Sequence, residues 1–375
     1  MSMANPFADH DRRALHRLLA DAFEDARALA GTTEATFGIG QERIRVRTAG
    51  ETLALPLTRA MRHIRVESTM PPTATIDAWD SATTGRPLPL LADHLLRLLE
   101  LTWLADRDIR GGLRAFSDGP IRAAYYGPGL LSVYDDERRS GIYWLRDAAT
   151  LPWYEPGAPF RVLLDWIVAS PTRQLLHAGA IAGPGGAVVV GGAGGSGKST
   201  TALACLDHPD LRFMSDDYVV IDMTSDPVVH SVFSTGKLKS LHEFDRFEHL
   251  RGHIVNRDRA VRDREQALDL DPDTEKPMLF VHEFAPDHLA REMPVRALVF
   301  PRFGALDACT FESLSPDVAF KLLAPSTIQQ MPATGASALR CIRALAGRVP
   351  AFVLGLPNDP RKIPDAIVEI LAVTS

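Results

Sequence analysis

Gly192-Ala193-Gly194-Gly195-Ser196-Gly197-Lys198-Ser199 fits the pattern GxxxxGK[ST]. In such a turn the glycines let backbone N–H groups close around phosphate oxygens, an approach that side chains would block. Lys198 supplies a point charge for the β- and γ-phosphates and Ser199 a hydroxyl for Mg2+, while Thr200 opens the helical run that follows. With 27 Gly and six Lys in 375 residues, a chance match is expected roughly 0.003 times by composition alone. An apolar run over Leu211 to Met214 then ends at Ser215-Asp216-Asp217, 18 residues past Lys198. A nucleotide-bound metal needs a carboxylate, and a transferase acting on a hydroxyl needs one to take the proton. Two adjacent acids beside the loop divide those roles: Asp216 is expected as the base, and Asp217 with Ser199 on the metal.

The flanks agree with that reading. Val188-Val189-Val190 is a strand leading into the loop, and the Gly183-Pro184-Gly185-Gly186 turn joins it to an earlier run, Gln174 to Ala182, as an antiparallel neighbour. Tyr218 to Asp222 is an apolar strand ending in an acid, but Met223 to Pro227 reads as a hairpin turn and argues against Asp222 as a metal ligand. Lys237 and Lys239 fall where the chain returns from that hairpin, and could contact transferred phosphate or the acceptor. Residues 251 to 276 are dense in charge: a solvated loop, or a lid that excludes water from the phosphate.

The combination LLHAGAIA with His177, GGAGGSGKST and FMSDDYVVID resembles the catalytic domain of HPr kinase/phosphorylase and, more distantly, phosphoenolpyruvate carboxykinase. The resemblance spans about 171 to 240. It implies an α/β fold, a P-loop kinase domain with a mixed sheet and flanking helices, preceded by a smaller α+β domain. It also implies ATP and Mg2+ as cofactors, the Asp pair as base and metal site, and His177 near the transferred phosphate. The family's Arg-Gly-Leu-Gly signature has no full counterpart, since Glu248 to Ile254 offers Arg251-Gly252 without the second Gly. HPr as acceptor and the phosphorylase reaction therefore stay open. Related kinases that tailor ribosomally made peptides on a serine hydroxyl fit the same residues.

Other elements must position this segment. Residues 9 to 30 place Leu15, Leu18, Leu19, Ala22, Phe23, Ala26 and Leu29 on one helical stripe, with Gly31 past the end. Arg43 to Arg47 alternates polar and apolar and leads into Thr52 to Leu57, which predicts a hairpin with its arginines in solvent. Helices are expected over about 89 to 105 and 159 to 169, with short strands and turns over 110 to 155. Later strands are read at Leu298 to Pro301 and Ala351 to Leu354. Helices are read at Pro316 to Leu323 and Pro364 to Ala372, with Ser326 as the N-cap of another. The boundary between an N-terminal domain and the catalytic one is placed at 155/156.

Composition narrows the partners. The chain is 46% apolar and 23% charged with a net charge of −6, so it has the apolar content for a core and no basic field for nucleic acid. Three widely spaced cysteines, Cys205, Cys309 and Cys341, speak against a disulfide framework or structural zinc. No run of about 18 uncharged apolar residues is present, so no membrane role is expected and a soluble cytoplasmic protein is. The expected activity is transfer of the γ-phosphoryl group of ATP to a hydroxyl, on a serine of a peptide or small protein or on a small molecule. A nucleotide-binding regulator is the alternative, and a homo-oligomer is left open.

Overall fold

The computed structural model describes residues 9–67, 69–90, 92, 111–113, 116, 119–126, 129–260, 275–331 and 335–374. The chain falls into two compact units, one of Met1–Arg59, Arg65–Val168 and Gln329–Thr334, the other of Ala60–Ile64, Ala169–Ile328 and Gly335–Ser375. Among the described residues no helix is long and apolar enough to cross a membrane.

In the first unit, α1 (Asp9–Ala30) buries Leu15, Leu19, Ala22, Phe23 and Ala26 against a sheet. Leu18 and Leu29, on the expected stripe by spacing, are exposed, so the buried face is narrower than the pattern implied. Strands β1 (Thr32–Ile39) and β2 (Glu42–Ala49) pair antiparallel. This corrects the expected hairpin: the partner of β2 lies before it, and the segment after it forms a short helix over Ala54–Thr58. The physical reason is spacing, because Leu53 and Leu57 are four apart and both buried, which suits one helical face. Nor do all the arginines point to solvent, since Arg47 makes a two-pronged ion pair with Asp77 (2.6 and 2.7 Å). Strands β3 (Ala74–Asp80), β4 (Ile121–Tyr126), β5 (Leu130–Asp135) and β6 (Ser140–Leu145) complete a mixed sheet of order β1-β2-β3-β6-β5-β4. Helix α2 (Arg161–Val168) follows. The helix expected over 89 to 105 lies almost wholly outside the described residues.

The second unit runs β7 (Arg173–Leu176), β8 (Gly179–Gly183), β9 (Gly186–Val190), α3 (Lys198–Ala204), β10 (Arg212–Ser215), β11 (Val219–Asp222), β12 (Val228–Ser231), β13 (Thr235–Lys237), β14 (Met278–Phe280), β15 (Glu292–Leu306), β16 (Thr310–Leu314), α4 (Pro316–Gln330), α5 (Ala336–Arg348), β17 (Ala351–Pro357) and α6 (Ile363–Thr374). Nine of these strands form a mixed sheet, with β9 parallel to β15 and antiparallel to β8. Strand β9 is buried on both faces: Val188 and Val190 enter a core shared with α3 and α6, and Ala187 and Val189 one shared with α4 and α5. The unit is thus a mixed α/β structure, and its central strand leads directly into the glycine turn.

Two local expectations need correction. The run Gln174 to Ala182 is not one strand, because β7 pairs with β11 while β8 pairs with β9 and β10. His177 sits at the break, where Ala178 N donates to Leu176 O at 3.0 Å. Ser326 does not start a helix; α4 continues through Pro325. Burial of Ala319, Leu323, Ser326 and Thr327 on one side of α4 outweighs the backbone bond that Pro325 cannot make.

Candidate active site

The glycine turn is built around its lysine. Lys198 is buried, and its Nζ donates to Gly192 O (2.8 Å) and Ala193 O (3.1 Å). Gly197 has φ +108 at the start of α3, and a Cβ there would collide with Leu356 Cδ1 and press on the Phe303 ring. We predict that Gly197→Ala costs about 1–3 kcal/mol in urea denaturation, from overpacking and backbone strain together. Unchanged stability would mean that the turn relaxes freely. An added Cβ at Gly194 or Gly195 meets nothing within 4 Å, and the Ser196 Oγ is buried without a hydrogen-bond partner. Free space beyond two glycines and an unpartnered hydroxyl beside them suit the approach of phosphate oxygens.

Strand β10 delivers the acids. Its pairing with β8 shifts register between Phe213 and Ser215, an irregularity that re-aims the residues beyond it. Ser215 Oγ then accepts from Asp217 N (3.2 Å) and Tyr218 N (3.1 Å), fixing the bend. Asp216 is 1% exposed and accepts from Lys237 N at 2.8 Å, with Ser199 near enough to favour its charged form. Asp217 keeps 26% side-chain exposure and is gripped from two sides, by Lys237 Nζ at 2.7 Å and His177 Nε2 at 3.0 Å. His177 is held in turn: its N–H donates to Thr327 Oγ1 (3.1 Å), its ring lies 5.3 Å from that of Tyr218, and its Nδ1 is buried without a partner.

The structure therefore brings Lys198, Ser199, Asp216, Asp217, His177 and Lys237 together. It does not bring in Lys239, whose side chain is exposed and whose N–H donates to Glu243 (2.7 Å). Asp222 accepts from Thr224 N (2.8 Å) in the β11/β12 turn, as the hairpin reading required. Thr200 is half-buried on α3. Sequence reasoning missed Ser215, Thr327 and Tyr218 as supports; for Ser215, the hydroxyl two residues ahead of a strand-end acid was a usable signal.

Charges are sharply divided between the paired acids. Burial and then the Asp217 charge push the Asp216 carboxyl up to about 7, against Lys237 and Ser199. Burial also acts upward on Asp217, but Lys237 and His177 outweigh it and hold that carboxyl well below the usual range. Burial lowers Lys198 and His177, whereas Asp217 and then Asp216 overcome burial and raise Lys237. A stability signature follows. Protonated Asp216 favours the fold, so its contribution is complete below about pH 4 and is lost as pH rises to about 7. In metal-free buffer the melting temperature of Asp216→Asn minus that of the wild type is expected to rise from pH 5 to pH 8. A flat or falling difference contradicts the assignment.

Among the described residues no group of three or more His, Cys, Asp or Glu is placed to hold a metal unaided. Ser199 and the adjoining carboxylate are hard oxygen donors that fit Mg2+, an ion that usually keeps water and phosphate oxygens in its remaining positions.

No family model matches the chain, and no curated protein matches it. Among solved structures, that of the Hpr(Ser) kinase/phosphatase from Coxiella burnetii is similar at 12% identity with a TM-score of 0.28, over 53% of this chain and 94% of that one. A likeness that loose assigns nothing by itself, so the weight of the assignment rests on the residues.

Proposed function

We propose that the second unit is an ATP- and Mg2+-dependent phosphotransferase that moves the γ-phosphoryl group to a hydroxyl, on a serine of a peptide or small protein. The observation that carries this reading is Asp217, partly exposed, clamped by Lys237 and His177, and near enough for its charge to act on Lys198 of the glycine turn. A purely structural glycine turn gains nothing from a buried acid, a half-buried one beside it and a second buried lysine.

Roles follow from contacts. The amides of Gly192 to Gly197 and the Lys198 ammonium would hold the β- and γ-phosphates. Bound Mg2+ would neutralise developing charge on the phosphates, with Ser199 and Asp216 as its protein donors. The pull of Ser199 on the Asp216 carboxyl supports exchanging the roles expected from sequence, and leaves Asp217 as the acid that would face an incoming hydroxyl. Asp217 is a weak base, which suits a loose transition state where the proton moves late and orientation matters more than basicity. His177 and Lys237 orient it.

The test is transfer of γ-labelled phosphate from ATP to candidate acceptors co-expressed with the protein, read as label and as an added mass of about 80 Da. Label on an acceptor, lost with Lys198→Met, is the expected result. Nucleotide binding with a conformational change and no labelled acceptor would instead favour a regulator.

A further inference from the structure

Resting on the phosphotransferase reading, we propose that Lys276 is a further binding residue of this site, one that contacts the γ-phosphoryl group. The ribbon of β13 and β14 carries the argument. Its register pairs Gly236 with Leu279 and Lys237 with Met278, and paired residues share a face. Gly236 turns toward α3, where a Cβ would lie 2.7 Å from Leu203 Cδ2. Lys237 and Met278 occupy the opposite face, from which Lys237 Nζ reaches Asp217. Lys276 lies two residues before Met278, just ahead of β14, where Asn256 bonds both Lys276 O and Met278 N, and an extended chain there gives it the same parity. It leaves the ribbon on the side of the acids, with its side chain exposed.

Its backbone is fixed by Asn256, which is 4% exposed. Asn256 Oδ1 accepts from Met278 N (2.8 Å), and its Nδ2 donates to Lys276 O (2.9 Å) and Glu275 Oε1 (2.7 Å). Val255 N donates to Met278 O at 2.9 Å beside it. One buried amide thus devotes its whole side chain to residues 275, 276 and 278, which makes Asn256 a positioning residue for Lys276.

A further charge has a use here. Lys198 and Lys237 stand beside Asp216 and Asp217, whose charges draw on both lysines, so a further cation at the terminal phosphate would add to what Mg2+ supplies there. Lys276 is close enough to act: after burial, and against the pull of Asp217 and Asp216, its charge helps hold Lys198 below the ordinary lysine range.

Calorimetric titration with MgADP and with the Mg complex of the non-hydrolysable analogue AMP-PNP tests the assignment. Lys276→Ala is expected to weaken AMP-PNP binding on the order of tenfold while MgADP stays within about twofold, since one charge-assisted contact to the terminal phosphate is lost. Lys276→Arg should keep most of the difference, and Asn256→Ala should lose it while still binding MgADP. Unchanged AMP-PNP affinity in Lys276→Ala, or an equal loss for both nucleotides, overturns the proposal. A wild-type protein that binds neither nucleotide would instead remove the phosphotransferase reading and take this assignment with it.

Discussion

Asp217→Ala is expected to lower phosphoryl transfer on the order of 10²- to 10⁴-fold and to destabilise the fold by about 3 kcal/mol. The two losses have separate causes. Transfer falls because the acid facing the acceptor hydroxyl is gone. Stability falls because Lys237, 9% exposed, keeps its charge in a buried position through Asp217 first and Asp216 second, against burial. Removing one partner leaves an uncompensated buried cation, and that is costly even where the intact pair is worth little. Adding Lys237→Met to Asp217→Ala should therefore recover much of the stability in urea denaturation and none of the transfer. Full stability in Asp217→Ala alone would mean that Lys237 escapes to water and that the clamp is not structural.

Lys198→Met is expected to behave in the opposite way. It should remove the rise in melting temperature that MgATP gives and cut transfer on the order of 10²- to 10³-fold, the usual scale for losing a donor aimed at developing charge. The protein without ligand should nonetheless stay as stable as the wild type or gain slightly. Lys198 is buried and lies below its ordinary range chiefly because of burial, so the cost of its charge offsets what its bonds to Gly192 O and Ala193 O contribute to the unliganded fold. Thermal melts with and without MgATP read both halves. A variant that melts early without ligand would make Lys198 a structural residue, and one that keeps the MgATP shift would take it out of nucleotide binding.

The site was legible in sequence where chemistry is local. A glycine turn after an apolar strand, its lysine, and an acid pair at a strand end are set by contiguous residues, and the charges of that pair act on Lys198. Lys237 and Lys239 were singled out together by position; Lys237 closes β13 and reaches Asp217, whereas Lys239 lies beyond the strand, where its N–H bonds to Glu243. What sequence could not give was pairing at a distance. Thr327 supports His177 across 150 positions, and Asn256 fixes Lys276 from 20 positions away. Neither leaves a mark in a window of neighbouring residues. Alternation also says which residues share a face without saying which strand lies alongside, so β2 was matched to the segment after it instead of β1 before it. The same limit hid the break at His177, since an apolar run reads alike whether one strand or two pass through it.

The central claim is that one glycine turn and one acid pair face the same phosphate, and a crystal structure with Mg2+ and AMP-PNP tests it most directly. The account predicts the γ-phosphate beside Lys198 Nζ, with the metal reached by Ser199 and Asp216 and an Asp217 oxygen open toward the terminal phosphate. A nucleotide bound with its phosphates away from Gly192–Ser199, or with both carboxylates turned from the γ-phosphate, would contradict it.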